Sequence, residues 1–204
     1  MPTVPDFSNN RGGIPLGRIR MTPLPGTAPK QDVIEADLRS DRACELIDGV
    51  LVENPPGIRE SIIAALIGHR VQAFLETRDL GFVLGANGPL EILPGQVRIP
   101  DVCLVSWDRF PNRKLPEEPI LPSAPDLAIE VLSDGNTEQE MRRKLHDYFT
   151  AGVRLVWYID PRTRLAKSYT AVEQFVEVSE NGALSGGDVL PGFDLPLHEL
   201  FAKV

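Results

Sequence analysis

Two acidic residues interrupt apolar, strand-like runs in the middle of this chain, and a lysine follows on the next helix. Asp101 lies in Pro100-Asp101-Val102-Cys103-Leu104-Val105, and Glu130 in Pro125-Asp126-Leu127-Ala128-Ile129-Glu130-Val131-Leu132. Lys144 lies in Met141-Arg142-Arg143-Lys144-Leu145-His146-Asp147-Tyr148-Phe149. A carboxylate in an apolar strand is costly unless a cation, a metal ion or a proton compensates it. Two of them near one lysine point to a divalent metal site with hard oxygen donors, and so to phosphate-ester chemistry.

Each residue also has an ordinary reading. Strand alternation puts Glu130 on the face of Ala128 and Leu132, with Leu127, Ile129 and Val131 opposite; a strand-end carboxylate reaching solvent or an arginine would look the same. Asp101 follows Arg98 and Pro100 and serves equally well to end a turn. At about 100° per residue, Met141, Leu145, Tyr148 and Phe149 centre an apolar helix face, with Lys144 and Arg142 on its opposite flanks. Periodicity does not choose between the two. Lys144 shares its flank with Glu140, so a surface ion pair is the plain alternative. Glu60, in the first turn of the first long helix, is explained by the helix dipole.

The elements that must hold these side chains are legible in outline. Cys44 to Val52 reads as a hairpin, because Asp48-Gly49 sits between two apolar runs; it puts Glu45 and Glu53 on flanking strands. A short helix fits Asp32 to Arg39. Pro55-Pro56-Gly57 breaks the chain, and Ile63, Ile67, Val71, Phe74 and Leu75 then recur at helical spacing until Gly81 offers a stop. Strands are expected at Phe82–Leu84, Leu90–Leu93 and from Asp101, then a loop over 108–123 with room for one helical turn. The run Asp126–Leu132 fits a buried strand. A helix from Thr137 to Ala151, closed by Gly152, leads into a strand at Arg154–Ile159. Ala166–Thr170 and Gln174–Val178 make a terminal hairpin. Residues 1–30, rich in Pro and Gly, read as an extension and 31–204 as one domain.

Composition bounds the partners. With 204 residues, 42% of them hydrophobic, the chain is long enough for one sizeable core. No apolar run is long enough to cross a bilayer and no signal core opens the chain, so a soluble, cytoplasmic protein is expected. Cys44 and Cys103 match no metal or redox spacing and read as reduced core filler. A net charge of -8 argues against a broad electrostatic grip on nucleic acid but not against a nuclease, whose own site is acidic. His69, His146 and His198 are too scattered for a zinc site, no phosphate-binding glycine loop is present, and Ser133 lacks a nucleophile elbow.

With these residues in view, the chain resembles the Uma-type restriction endonuclease family, a branch of the PD-(D/E)XK nuclease superfamily. The resemblance runs from about Cys44 to the C-terminus. It rests on Glu45-Leu46-Ile47-Asp48-Gly49, Arg98-Ile99-Pro100-Asp101-Val102, Ala124-Pro125-Asp126 through Glu130-Val131-Leu132-Ser133, Lys144-Leu145 with Tyr148, Gly152-Val153, Trp157-Tyr158-Ile159-Asp160-Pro161 and Leu190-Pro191-Gly192-Phe193. It implies an α/β (α+β) restriction-endonuclease-like fold, a mixed central sheet flanked by helices, here with an additional N-terminal hairpin.

It also implies roles. Asp101 and Glu130 correspond to the family's metal ligands. Leu132 stands where the superfamily's lysine is expected, and Lys144 on the following helix is the replacement, which settles the flank. Glu45 carries over as an acidic neighbour of the site, whereas Glu60 stands where such proteins often have a histidine. The implied cofactor is Mg²⁺ or Mn²⁺, held by Asp101, Glu130 and the Val131 carbonyl with help from Glu45. The implied reaction is phosphodiester hydrolysis in DNA, with a homodimer as the simplest way to cut both strands. The alternative is a nuclease-fold module that no longer cuts and binds nucleic acid or protein.

Overall fold

The computed structural model describes residues 12–38, 43–54 and 57–204. The apolar runs become a six-stranded sheet. In chain order the elements are α1 (Lys30–Leu38), β1 (Cys44–Ile47), β2 (Val50–Glu53), α2 (Ile58–Leu75), β3 (Gly81–Gly85), β4 (Leu90–Leu93), β5 (Gln96–Arg98), β6 (Val102–Ser106) and β7 (Leu127–Val131). They continue with α3 (Glu138–Thr150), β8 (Leu155–Asp160), β9 (Leu165–Ala171), β10 (Gln174–Ser179), β11 (Ala183–Ser185), β12 (Asp194–Pro196) and α4 (Leu197–Phe201). The large sheet runs β10-β9-β8-β7-β6-β3. Only β7 and β8 pair in parallel, with α3 as the crossover between them; the other pairs are antiparallel.

Alternation along β7 decides what each face packs against. Leu127, Ile129 and Val131 join Ile63, Ile67 and Val71 of α2 and Leu197, Leu200 and Phe201 of α4 in one core. Ala128 joins Met141, Leu145 and Tyr148 of α3 in the other. The sheet is thus covered on both sides, and Glu130 belongs to the face that α3 covers. α3 starts where the Thr137 side chain accepts from the Glu140 N–H and ends before Gly152 at φ +84°.

The expected hairpin forms, with Asp48 and Gly49 both at positive φ as a tight two-residue turn demands. It is half of a larger unit. Residues Gln96–Arg98, to which sequence reading assigned no element, form β5, and the order β2-β1-β5-β4 makes a four-stranded antiparallel sheet. Two further boundaries differ from expectation. α2 ends at Leu75 and the chain turns through Asp79 at φ +43°, so Gly81 is not the stop; it begins β3, where a Cβ would lie 2.1 Å from the Val105 carbonyl. Asp101 is a bend and β6 starts at Val102. Beyond the terminal hairpin, the three-residue strands β11 and β12 and the short α4 were too brief to show a period; they close the α2 face.

Residues 12–29 pack against the small sheet. Ile19 bridges Val52, the Arg20 N–H donates to the Leu51 carbonyl, and the Gly26 and Ala28 N–H groups both donate to the Gly49 carbonyl. The remainder of the Pro- and Gly-rich segment, residues 1–11, and Pro55-Pro56 lie outside the described residues. Cys44 and Cys103 are both buried and not joined in a disulfide. No helix among the described residues is long and apolar enough to cross a membrane.

Candidate active site

The large sheet's ladder stops one step early between β6 and β7. Its last pair there is Val102 opposite Ile129, so the next hydrogen-bonding position, two residues on, would set Pro100 opposite Val131. Pro100 has no N–H to give, and the Asp101 carboxylate takes over: its Oδ2 accepts from the Val131 N–H at 2.7 Å. A strand residue points its N–H and carbonyl toward the same neighbour, so the Val131 carbonyl also faces the Asp101 side. The break in the ladder therefore gathers a carboxylate and a carbonyl at one spot.

Glu130 and Lys144 meet on the α3 face beside it. Lys144 Nζ lies 2.7 Å from Glu130 Oε1 and 3.0 Å from Glu45 Oε1. The Tyr148 hydroxyl, one turn farther along α3, donates to the same Glu130 Oε1 at 2.5 Å. Glu140, the helix-surface partner that spacing alone allowed, is instead paired with Arg18 at 2.9 Å. Arg142, on the opposite flank, is exposed and paired with Glu173.

Three groups remain open. Glu130 Oε2 and Asp101 Oδ1 accept no hydrogen bond from the described residues, and Lys144, with three N–H donors, uses two on carboxylates. Asp101, Glu130, Val131, Lys144 and Glu60 all line one cavity of about 680 Å³ that runs along α2. Glu45 stands behind Lys144, 1% exposed, with both oxygens engaged: Oε1 also accepts from the Ile99 N–H and Oε2 from Arg98 Nη1.

The electrostatics follow from that arrangement. Burial raises Glu130, Asp101 and Glu45 push it further, and Lys144 only partly offsets them, leaving the carboxyl at about 7. Burial likewise raises Asp101, reinforced by Glu45 and Glu60 against the Val131 N–H and Lys144. At Glu45 burial is outweighed by Lys144, Arg98 and the Ile99 N–H, which bring it to about 2. Burial disfavours the Lys144 ammonium, but Glu130 and Glu45 more than compensate, so it stays protonated beyond the ordinary lysine range.

These donors fit a divalent cation. Among the described residues no three His, Cys, Asp or Glu side chains converge as a closed cage. Mg²⁺ does not require one: it is commonly held by one or two carboxylates and keeps several waters. Two neighbouring carboxyls whose proton affinity is raised, each with an open oxygen beside a carbonyl, form a site short of positive charge.

Sequence reasoning missed the roles of Arg98, Asp147 and Tyr148. Tyr148 was read as apolar helix face and as part of the family motif but given no role, although its hydroxyl needs a partner when buried. Arg98 carried a signal in its position between the apolar Val97 and Ile99; it is the last residue of β5 and 1% exposed. Asp147 lies three residues after Lys144 and thus on the same side of α3.

A family model described as "Uma2: Putative restriction endonuclease" matches residues 31–198. Among solved structures, the chain is similar to a protein from Anabaena variabilis ATCC 29413 described as a "putative nuclease belonging to DUF820". The TM-score is 0.69 at 18% identity, covering 83% of this chain and 97% of that one. At that identity the likeness shows the restriction-endonuclease-like fold alone. No curated protein matches the chain.

Proposed function

Because the chain belongs to the Uma2 family, described as "Putative restriction endonuclease", we propose that it is a metal-dependent endonuclease that hydrolyses phosphodiester bonds in DNA. The observation that carries this reading is the convergence of open groups on one cavity: Asp101 Oδ1, Glu130 Oε2 and the remaining Lys144 N–H. Asp101, Glu130 and the Val131 carbonyl would hold Mg²⁺ or Mn²⁺. A divalent cation there supplies Lewis acidity toward a phosphoryl oxygen and an attacking water.

The chain's own residues do the rest. Lys144 keeps a full positive charge and aims an N–H into the cavity, where it stabilises negative charge building on the phosphoryl oxygens. Its charge is preorganised by two carboxylates, so little reorientation is needed at the moment of reaction. Tyr148 and Lys144 occupy Glu130 Oε1 and thereby fix the direction of Oε2. Asp101 has its plane set by the Val131 N–H. Glu60, at the start of α2, adds negative charge near Asp101 and strengthens the site's demand for a cation. Cutting both strands takes two such sites, so double-strand cleavage in this reading involves a pair of copies.

The test is cleavage of supercoiled and single-stranded DNA with Mg²⁺ or Mn²⁺, and with chelator, by the native chain and by Glu130→Gln and Lys144→Met variants shown to be folded. Metal-dependent nicking that both variants lose supports the reading. A folded native chain that binds no metal and cuts no DNA overturns it in favour of a non-cutting nuclease-fold module.

A further inference from the structure

We propose that Glu45 and Arg98 are positioning residues: with Asp147 they close a ring of charges that holds Lys144 in place beside Glu130. The catalytic consequence rests on the nuclease reading above; the ring itself rests on geometry. Lys144 Nζ lies 3.0 Å from Glu45 Oε1, and Arg98 Nη1 donates to Glu45 Oε2 at 2.8 Å. Arg98 Nη2 donates to Asp147 Oδ2, and Asp147 is on α3 three residues after Lys144. The chain of contacts leaves α3, crosses β1 and β5 of the small sheet, and returns to α3. The Ile99 N–H, at 3.0 Å from Glu45 Oε1, fixes the carboxylate from the backbone.

Stability alone is a weak explanation for the ring. Glu45 and Arg98 are each 1% exposed, and buried ion pairs are often matched or bettered by well-packed apolar residues. Among the described residues Arg98 Nε moreover has no hydrogen-bond partner, a further cost. What the ring does fix is a location. A lysine ends in a compact charge on a flexible four-carbon stem, and with Glu130 as its only anion it would follow that carboxylate wherever it turned. Glu45, anchored by Arg98 and by the backbone, gives the ammonium a second, rigid point of attachment. Since both Glu45 oxygens already accept donors, the geometry assigns Glu45 to the lysine rather than to a metal ion.

The experiment combines lysine-selective ¹H–¹⁵N NMR of the full chain with Mn²⁺-dependent nicking and calorimetric Mn²⁺ affinity. The variants are Glu45→Gln and Asp147→Asn. Asp147, at the ring's outer end, is the more solvent-accessible member and keeps the test open if Glu45→Gln does not fold. The native Lys144 ammonium should give a slowly exchanging signal at neutral pH. Glu45→Gln should shift it, speed its exchange and lower kcat by about 10- to 100-fold, as loss of a supporting contact behind a ligand typically does. Mn²⁺ affinity should hold within about twofold, and Asp147→Asn should move the same readouts less. An unmoved Lys144 signal in the folded variants overturns the proposal, as does an Mn²⁺ affinity that falls in step with kcat. A native chain that nicks nothing while its Lys144 signal still answers to Glu45→Gln sinks the nuclease reading and leaves the positioning role standing.

Discussion

Replacing Glu130 by Gln should remove a pH dependence from the fold itself, and the size of that effect follows from the site. Burial, with Asp101 and Glu45 alongside, lifts the Glu130 carboxyl from 4.5 to about 7. The folded chain therefore holds this proton more tightly than the unfolded chain. Its contribution to stability is fully present below pH 4.5 and is lost as pH rises through 7. At about 1.4 kcal/mol per tenfold change in proton affinity, the loss between pH 5 and 8 amounts to about 2.5 kcal/mol. That is a large part of a domain's net stability of about 5–15 kcal/mol. Gln keeps an oxygen that accepts from Lys144 and Tyr148 and carries no titrating proton. Denaturant unfolding in chelator at pH 5, 6, 7 and 8 should show native stability falling across the series and Glu130→Gln staying nearly level by comparison. Parallel curves for the two proteins would refute the argument. Mg²⁺ added to the native chain at pH 8 should recover stability as mass action requires, about 2.7 kcal/mol at a hundredfold excess over its dissociation constant.

Asp101→Asn retains an oxygen for the Val131 N–H but loses the charge, so the Glu130 carboxyl should titrate at lower pH by ¹³C NMR while metal-dependent nicking drops by about 100-fold or more. Lys144→Met leaves two buried carboxylates without their shared cation and should cost about 3–5 kcal/mol in denaturant unfolding at pH 8, less at pH 5, where Glu130 takes up a proton. Glu45, held at about 2, contributes stability above pH 4.5 that is lost as pH falls toward 2; Glu45→Gln should flatten this acid limb in pH-dependent unfolding. Arg18→Ala removes donors to the Glu53 and Gly135 carbonyls, Asn54 and the buried Glu140, and should destabilise by about 3 kcal/mol in thermal or denaturant unfolding.

Much of this was legible because strong periods report the faces of long elements. The two-residue period of Leu127–Val131 placed Glu130 opposite Leu127, Ile129 and Val131, and the six strands and two covering layers respect that division. The Asp48-Gly49 turn announced its hairpin through the positive φ both residues adopt. Other features had no period to report. β5 spans three residues, shorter than two full alternations, and so the small sheet was seen only as a hairpin. Asp101 looked like the first residue of a strand because nothing local reveals that Pro100 deprives Val131 of a ladder partner. Helix periodicity left Lys144 and Arg142 equivalent; tertiary contacts separate them, since Glu45 and Glu130 lie on one side and Glu173 on the other. Arg98 and Asp147 meet only because two sheets and a helix dock, which no window of sequence contains.

That docking has a consequence for the order in which the molecule matures. Asp101 and Glu130 come into place when β6 zips onto β7, a step internal to the large sheet. The ring around Lys144 draws on positions 45, 98, 144 and 147, and closes only when the small sheet settles on α3. Folding that completes the large sheet first would pass through a species with Asp101 and Glu130 assembled and the lysine unanchored. In the nuclease reading proposed above, docking of the small sheet is therefore the event that gives Lys144 its fixed place, and the large sheet alone would not suffice for cutting.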